Sequence, residues 1–273
     1  MTDSIRFDDG ASYERYMGVW SQLAGADFLR WLAPAPGLRW LDVGCGNGAF
    51  TELLTTHCAP AALHGIDPSV PQLEYARTRT ALRDAALREG DAMALPYADS
   101  MFDAAVMPLV IFFVPQPARG VAEMARVVAA GGLVAAYAWD MHGGGFPYHV
   151  LQREMRDLGA VLPAPPTPES SRRDVMHELW RDAGLTEVES QELTVHHSFS
   201  SFDDYWATIA GWEAVSRTLA TMVPEAIARL RERLRECLPE DAHGRITYSA
   251  RANAVKGRVA RASVVATSST GAP

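Results

Sequence analysis

The segment W-L-D-V-G-C-G-N-G, residues 40–48, carries the strongest structural signal in this chain. A short apolar run ends in a glycine-rich turn, and a helical pattern follows from about Gly48 to His57. Glycines let a backbone pass close to a ligand, and the first N–H groups of the following helix have no partner within that helix. We therefore expect a strand, a ligand-binding turn and a helix, which together form one unit of a parallel α/β sheet.

The same alternation of short apolar runs and helical patterns extends along the chain. Unbroken apolar runs fit strands that are buried on both faces, so the pattern predicts a mostly parallel sheet with helices on both faces. A long helix is expected over residues 13–36 and another over residues 118–130. The further strand candidates are Ala62–Asp67, Ala86–Asp91, Phe102–Val110, Leu133–Asp140, Glu187–Phe199 and Ile246–Val259, and a mostly helical stretch, Phe202–Leu238, separates the last two.

Composition and charge exclude several classes of protein. The chain has 273 residues, 48% of them hydrophobic, and a formal net charge of −8, which fits a folded globular protein rather than a disordered one. Lys and Arg are scattered among acidic residues, so no nucleic-acid partner is expected. The longest uncharged apolar stretch, Ala104–Val114, is shorter than the roughly 20 residues that span a membrane.

The first ten residues and the cysteines bear on the cellular compartment. The chain begins without the charged and apolar pattern of a secretory signal, so we expect a cytoplasmic protein. Its three cysteines are widely spaced, which favours reduced thiols over disulfides or a zinc site. No metal is expected.

Charge at the glycine turn separates two classes of ligand. The spacing Gly44-x-Gly46-x-x-Ala49 also matches the fingerprint of nicotinamide dinucleotides. Residues 41–54, however, contain Asp42 and Glu52 but no Lys or Arg. Nearby anions would repel a pyrophosphate and attract a cation. The turn therefore favours S-adenosylmethionine, with its sulfonium and ammonium groups, over a dinucleotide.

Two further acidic residues end predicted strands. Asp67 follows Gly48 by 19 residues and can accept two hydrogen bonds from a ribose diol. Asp91 can accept from an adenine amino group. Ligands of open α/β sheets bind at the carboxyl ends of the strands, where both carboxylates are expected.

These motifs resemble those of the class I S-adenosylmethionine-dependent methyltransferases. The similarity is greatest to the small-molecule branch that includes the ubiquinone and menaquinone C-methyltransferases. It covers Leu38–Asp140 closely and extends more loosely through Glu178–Val188. The motifs are D-V-G-C-G-N-G (Asp42–Gly48), G-I-D-P-S (Gly65–Ser69), G-D-A-M-A-L-P-Y (Gly90–Tyr97), F-D-A-A-V (Phe102–Val106) and E-M-A-R-V-V-A-A-G-G (Glu123–Gly132).

The resemblance implies a Rossmann-like sheet of seven strands with the last strand antiparallel, and a helical cap inserted between strands six and seven. It also implies that one S-adenosylmethionine binds and that a methyl group passes to a small, largely apolar acceptor. The cofactor contacts carried over by position are Asp42, Gly44, Cys45, Gly46, Gly48, Asp67, Pro68, Asp91 and Ala92, with Pro108 and Leu109 beside the reactive methyl and Tyr16 reaching in from the N-terminal helix.

No residue is assigned as a catalytic base by the sequence. Histidines in loops expected near the site are His142, His149, His196 and His197, of which His142 ranks first, although a plain surface role is favoured even for it. Aromatic residues of the cap would suit an apolar acceptor pocket or a homodimer interface; these are Phe202, Tyr205, Trp206 and Trp212.

The whole chain is expected to form one methyltransferase domain. Its predicted parts are an N-terminal helical segment (1–37), a sheet core (38–199 and 246–262), the cap insertion (200–240) and a flexible tail (263–273). Two other functions stay open on the sequence: a nicotinamide-dependent oxidoreductase and a non-catalytic protein that binds S-adenosylmethionine.

Overall fold

A mixed sheet of seven strands forms the centre of the fold. The computed structural model describes residues 10–238 and 240–261. The strands are β1 (Arg39–Val43), β2 (Ala62–Asp67), β3 (Ala86–Glu89), β4 (Phe102–Pro108), β5 (Val128–Trp139), β6 (Leu185–Phe199) and β7 (Ile246–Val259). Their order is β3-β2-β1-β4-β5-β7-β6. β7 runs antiparallel to both neighbours and the remaining pairs are parallel, so the predicted fold class is confirmed.

Helices cover the sheet in two groups. α1 packs on α2 and α3, whereas α4 packs on α6, which also contacts β6 and β7. The helices are α1 (Gly10–Leu32), α2 (Ala49–Cys58), α3 (Val70–Arg77), α4 (Pro117–Val127), α5 (His149–Asp157), α6 (Arg173–Asp182), α7 (Phe202–Ala210), α8 (Glu213–Leu219) and α9 (Pro224–Cys237). The described residues also form three short 3₁₀ helices: Thr80–Leu82, Ile111–Phe113 and Pro168–Ser171.

The spacing of apolar residues explains how α1 packs. Met17, Trp20, Ala24 and Phe28 recur three or four residues apart and are all buried, as expected for one apolar helix face. The Phe28 ring packs on Tyr137 of β5 at a centroid distance of 4.7 Å. α1 is therefore fixed to the sheet by its own sequence pattern.

Several element boundaries differ by a few residues from the sequence expectation, most of all at the start of β5. Residues 128–130, expected at the end of a helix, belong to β5, because Val128 pairs with Phe102 and is buried. The stretch 202–238, expected to be mostly helical, forms three helices, with a break after Ala210 and another before Pro224. Proline has no N–H to donate and a fixed φ, so it starts a helix more readily than it continues one.

The β6–β7 hairpin extends beyond the edge of the parallel strands. β5 ends at Trp139, which pairs with Ala252, while β6 and β7 stay paired as far as Phe199 and Ile246. The helices α7, α8 and α9 connect the two ends of this extension, where the cap was expected. The domain boundaries stay predictions, and the expected tail, 263–273, lies outside the described residues.

None of the described helices is long and apolar enough to cross a membrane.

Candidate functional site

The glycine turn lies between β1 and α2, where the strand order of the sheet reverses. The N–H groups of Gly44 and Cys45 both donate to the Ile66 carbonyl, at 2.7 and 3.0 Å. Gly44, Gly46 and Gly48 have φ angles of +75°, +51° and +80°. Only glycine adopts this region without strain, so the backbone itself requires the three glycines.

The surroundings of the three glycines differ. A Cβ on Gly44 would clash with the Val110 side chain, and one on Gly48 would lie 2.5 Å from Leu82 Cδ1. These two glycines allow close packing of the protein on itself. A Cβ on Gly46 would meet only Gln72 Oε1, at 3.9 Å, within the described part of the chain. Gly46 is therefore the position at which a ligand has room to approach the backbone.

Asp42 lies beneath this turn and is completely buried. The Thr51 hydroxyl donates to its Oδ2 at 2.7 Å, whereas its Oδ1 has no hydrogen-bond partner among the described residues. Burial raises the pKa of Asp42 to about 7; the Thr51 hydrogen bond opposes this shift and the negative charge of Asp67 adds to it. A buried acceptor without a partner is costly unless a ligand supplies the donor.

Asp67, at the end of β2, joins the turn to the next loop. Gly46 N–H donates to its Oδ2 and Ser69 N–H to its Oδ1, both at 2.8 Å. Burial raises the pKa of Asp67, and these two backbone hydrogen bonds oppose the shift. Each oxygen keeps a further lone pair for a second donor. Pro68, also expected at the site, is exposed in the following turn.

Cys45 does not present its side chain to a ligand. The thiol is buried, and its Sγ lies 2.9 Å from where a Cβ on Gly65 would stand, so it packs towards β2. Burial, together with the charges of Asp42 and Asp67, raises the pKa of the Cys45 thiol well above its usual value. The contribution of Cys45 to the turn is its backbone, whose carbonyl accepts from Gly48 N–H at 2.9 Å.

A basic side chain does reach the turn, contrary to what the local sequence suggests. Arg79 Nε donates to the Asn47 carbonyl at 2.7 Å. Its two other nitrogens form ion pairs of 2.6 Å with Glu14 and Glu52. Glu14 also accepts from Asn47 Nδ2 at 3.1 Å. Two carboxylates thus compensate one guanidinium, and the surroundings of the turn stay acidic.

The end of β3 lies next to β2, one strand away from the turn-bearing β1. Gly90 N–H donates to the Asp67 carbonyl at 3.1 Å, which brings the end of β3 next to β2. Asp91 is exposed and accepts from Met93 N–H at 2.8 Å through Oδ1. Ala92 is half-buried beside it.

Leu109 follows β4 in a left-handed conformation, with φ +59°. Its N–H donates to the Tyr137 carbonyl at 2.7 Å, and the preceding Pro108 is buried and paired with Tyr137. A bulky non-glycine residue with this φ is strained, and such residues concentrate at functional sites. The next residue, Val110, packs on Gly44, so this strained segment borders the turn.

Tyr16 and His142 both contact residues outside the turn. Tyr16 is buried, its carbonyl accepts from the Tyr148 hydroxyl at 2.6 Å, and its own hydroxyl lies 2.5 Å from where a Cβ on Gly211 would stand. His142 is exposed, and its Nε2 lies 3.0 Å from Glu169 Oε1. It lines a polar cavity of about 530 Å³ at the end of β5 together with Asp140, Arg172 and Asn253 among others.

The other candidate histidines are His149, His196 and His197, and they differ in packing and exposure. His197 packs its ring on Trp20 and Phe199, and burial lowers its pKa. Burial likewise lowers the pKa of His149, while His196 is exposed on β6. Within the described residues, no hydrogen bond or ring contact joins any of these imidazoles to the glycine turn. No group of three or more potential metal ligands occurs there either.

The cap aromatics divide into two sets. Phe202 and Tyr205 are buried against the β6–β7 extension. Trp206 lies under the Arg231 guanidinium at 5.0 Å, whereas the Trp212 ring is 5.5 Å from Tyr148. Of these four, Trp212 therefore packs on the loop that follows β5.

Sequence reasoning missed four residues around the turn: Glu14, Asn47, Thr51 and Arg79. Glu14 and Arg79 are 65 residues apart in the chain, so no local pattern links them. Thr51 stands nine positions after Asp42 and could have been found as a polar residue on the buried face of α2.

Comparison with known proteins identifies relatives that are methyltransferases. Residues 41–136 match a family model described as a methyltransferase domain. The chain is 36% identical over 157 residues to 2-methyl-6-phytyl-1,4-hydroquinone methyltransferase 1 of Oryza sativa subsp. japonica, covering 58% of this chain and 44% of that protein. It is 29% identical over 163 residues to a phthiotriol/phenolphthiotriol dimycocerosates methyltransferase of Mycobacterium tuberculosis, covering 59% of this chain and 56% of the relative.

The chain thus spans about half the length of the curated relatives it matches. Phosphoethanolamine N-methyltransferase 2 of Haemonchus contortus, solved with S-adenosyl-L-methionine, superimposes with a TM-score of 0.58 at 16% identity, covering 92% of this chain and 57% of that one. At this identity the superposition shows the fold alone. The resemblance expected from the motifs is confirmed over residues 41–136.

Proposed function

We propose that this chain, through its methyltransferase domain, transfers a methyl group from S-adenosylmethionine to a small, largely apolar acceptor. The observation that carries this proposal is the Oδ1 of the buried Asp42, which has no partner among the described residues, next to a turn where, of its three described glycines, Gly46 leaves room for a ligand. A buried carboxylate attracts a ligand with an ammonium or sulfonium group and repels a diphosphate. S-adenosylmethionine has both cationic groups and no phosphate.

The residues around the turn fit this cofactor. Asp42 Oδ1 would accept from its ammonium group, and Gly46 would let its methionine part approach the backbone. The free lone pairs of Asp67 would accept from the ribose hydroxyls. Asp91 Oδ2 would accept from the adenine amino group, beside Ala92. The cofactor, when bound, supplies a methyl group on a positively charged sulfur.

The protein's own contribution to the reaction is to align the acceptor and exclude water. The strained Leu109 and the buried Pro108 form the wall next to the turn. Alignment of two reactants is worth several kcal/mol of barrier, about 7–11 kcal/mol in favourable cases. His142 is bonded to Glu169, and we assign it no part in moving a proton.

The names of the relatives support the acceptor class. A phytyl hydroquinone and a phthiotriol lipid are both largely apolar molecules, and each of these relatives resembles the chain over more than half of it. The predicted absence of a nucleic-acid partner agrees with this class. A cytoplasmic location and a homodimer stay predictions that belong to the same proposal.

Calorimetric titration tests the cofactor assignment. The full chain should bind S-adenosylhomocysteine and release no heat with NADH. The Asp42→Asn variant keeps the size of the side chain and an acceptor for the Thr51 hydroxyl. It should bind S-adenosylhomocysteine more weakly than the wild type does. Tight binding of NADH without binding of S-adenosylhomocysteine would establish the oxidoreductase alternative.

Methyl transfer tests the enzymatic half of the proposal. Labelled S-adenosylmethionine is incubated with the chain and a panel of hydroquinones, phenols and amines, and extracted products are counted. We expect transfer to a hydroquinone or phenol that depends on Asp67. Binding of the cofactor without transfer to any member of the panel would favour a non-catalytic binding protein.

A further inference from the structure

The two buried carboxylates of the site, Asp42 and Asp67, are held by different kinds of donor. Asp67 accepts from two backbone N–H groups, those of Gly46 and Ser69, both at 2.8 Å. Asp42 accepts from the Thr51 hydroxyl, which donates to its Oδ2 at 2.7 Å. A backbone N–H is present whatever the side chain, whereas a hydroxyl depends on one residue of the sequence. The charge of Asp42 is therefore sensitive to a single side chain.

The position of Thr51 in the fold directs its hydroxyl at Asp42. Thr51 is the third residue of α2 and is completely buried. A helical threonine often donates to a carbonyl three or four residues earlier in its own helix. The Asn47 carbonyl, four residues earlier, instead accepts from Arg79 Nε at 2.7 Å. The Thr51 hydroxyl thus leaves its own helix and bonds to β1.

This hydrogen bond divides the work between the two oxygens of Asp42. Oδ2 is taken by Thr51, while Oδ1 is buried without a partner among the described residues. A hydrogen bond donated to a carboxylate favours its ionised form, which burial disfavours. Burial raises the pKa of Asp42 and the Thr51 hydroxyl opposes that rise. Thr51 therefore favours a charged Asp42 whose Oδ1 stays available.

The other groups around Asp42 do not take over this role. The negative charge of Asp67 raises the pKa of Asp42 further. The pKa of the Cys45 thiol is raised well above its usual value, so the thiol is neutral at physiological pH. On β4, the register partner of Asp42 is the apolar Val106. The Arg79 guanidinium is paired with two carboxylates on the other side of its own contact with the turn.

We propose that Thr51 is a positioning residue of the cofactor site, whose hydroxyl keeps Asp42 a carboxylate with Oδ1 free for the ammonium group of S-adenosylmethionine. The inference rests on the proposed function for the identity of the ligand, and it adds the residue that prepares the anchor for that ligand. Thr51 has no exposed surface, so it acts through Asp42 and not on the ligand directly.

The first test measures Asp42 in the ligand-free chain. Thr51→Val removes the hydroxyl and keeps the shape of the side chain, whereas Thr51→Ser keeps the hydroxyl. The aspartate carboxyl carbons are labelled with ¹³C and titrated by NMR from pH 5 to pH 9, and Asp42→Asn identifies the signal of Asp42. Loss of a hydrogen bond to a charged group should raise the midpoint of Asp42 by about one to two pH units in Thr51→Val. Thr51→Ser should keep the wild-type midpoint.

The second test measures binding of S-adenosylhomocysteine by calorimetry at pH 7.5 and pH 9. With its midpoint raised by that amount, Thr51→Val should bind about 3- to 25-fold more weakly than the wild type at pH 7.5. At pH 9 the two affinities should agree within about twofold, because Asp42 is then largely ionised in both proteins. A defect of structure alone would weaken binding by the same factor at both pH values.

Thr55→Val is the matched control. Thr55 lies one turn later in α2, and its hydroxyl donates to the Thr51 carbonyl at 3.2 Å. The variant makes the same chemical change in the same helix without touching Asp42. It should leave the midpoint of Asp42 and the pH dependence of binding unchanged. Equal shifts in Thr55→Val and Thr51→Val would show a general disturbance of α2 and contradict the inference.

Three results would overturn the inference: an unchanged midpoint of Asp42 in Thr51→Val, equal weakening of binding at both pH values, or a Thr51→Ser variant that behaves like Thr51→Val. Thr51→Ala also removes the hydroxyl and carries the same expectations if Thr51→Val does not fold. Failure of S-adenosylhomocysteine to bind the wild type, with the midpoint raised in Thr51→Val, would overturn the proposed function and leave the effect of Thr51 on Asp42 standing.

Discussion

The affinity for S-adenosylhomocysteine should depend on the protonation state of Asp42. Burial raises the pKa of this carboxyl to about 7, so about nine-tenths of it is protonated at pH 6. A protonated carboxyl holds an ammonium group far less well than a carboxylate does. The ligand should therefore bind the ionised form and bind more tightly as the pH rises through 7.

The size of this effect follows from the pKa. We take the carboxyl to be ionised in the complex. Relative to the dissociation constant of the fully ionised protein, the apparent constant is then higher by a factor of about 11 at pH 6 and about 1.3 at pH 7.5. Affinity should thus increase about eightfold between these pH values, which corresponds to about 1.2 kcal/mol. Binding at pH 6 should also release about 0.9 proton per ligand.

Isothermal titration calorimetry at both pH values, each in two buffers of different ionisation enthalpy, measures the affinity and the released protons together. Asp42→Asn keeps the acceptor for Thr51 but cannot ionise, so its affinity should be lower and equal at the two pH values. The same constant in the wild type at pH 6 and pH 7.5, with no proton released, would show that Asp42 does not hold the ammonium group.

The same pKa has a consequence for the ligand-free protein. Because the folded-state pKa of Asp42 is above its ordinary value of 3.8, the stability it contributes is fully present below that value and is lost as the pH rises through about 7. Urea unfolding of the wild type and of Asp42→Asn at pH 5 and pH 8 compares the two. From pH 5 to pH 8, we expect the wild type to lose stability relative to Asp42→Asn. A difference in unfolding free energy that is the same at both pH values would argue against the raised pKa.

Three further substitutions probe the turn. Asp67→Ala should weaken binding of S-adenosylhomocysteine by about 1.5–3 kcal/mol, the usual worth of hydrogen bonds to a charged group; an unchanged dissociation constant in calorimetry would contradict the ribose contact. Gly46→Val should abolish binding, because the side chain fills the ligand's space and opposes the positive φ; retained binding with a native circular dichroism spectrum would contradict this. Gly44→Ala should lower the free energy of unfolding through a clash with Val110, and Val110→Ala in the same chain should restore part of it; strictly additive effects in urea unfolding would rule out that contact.

Much of the fold could be predicted because its signals are local. β2 and β7 were predicted with the boundaries that the structure has, Ala62–Asp67 and Ile246–Val259. The boundary at Val128 was missed because residues 128–130 continue a helical apolar pattern and become strand only by pairing with Phe102. The break at Pro224 could have been found from the proline itself.

Part of the site could be predicted because some of its residues belong to local sequence motifs. Asp42 and Asp67 stand at strand ends within recognisable motifs, and the structure places both at the turn. Arg79 was missed, since its partner Glu14 is 65 residues away. The count over residues 41–54, which contain no Lys or Arg, could not show this distant neighbour. Glu14 and Glu52 compensate its charge.

The order of residues alone specifies the alternation of strands and helices, the positive φ angles of the glycine turn and the acidic residues at the strand ends, because each depends on neighbours a few positions away. The tertiary structure determines the contacts between segments that are distant in the sequence. It leaves Asp42 Oδ1 buried without a partner in the described chain, and it closes Val110 over Gly44 while Gly46 stays accessible. Burial and hydrogen bonding are properties of the packed molecule, so no reading of adjacent residues could have supplied them.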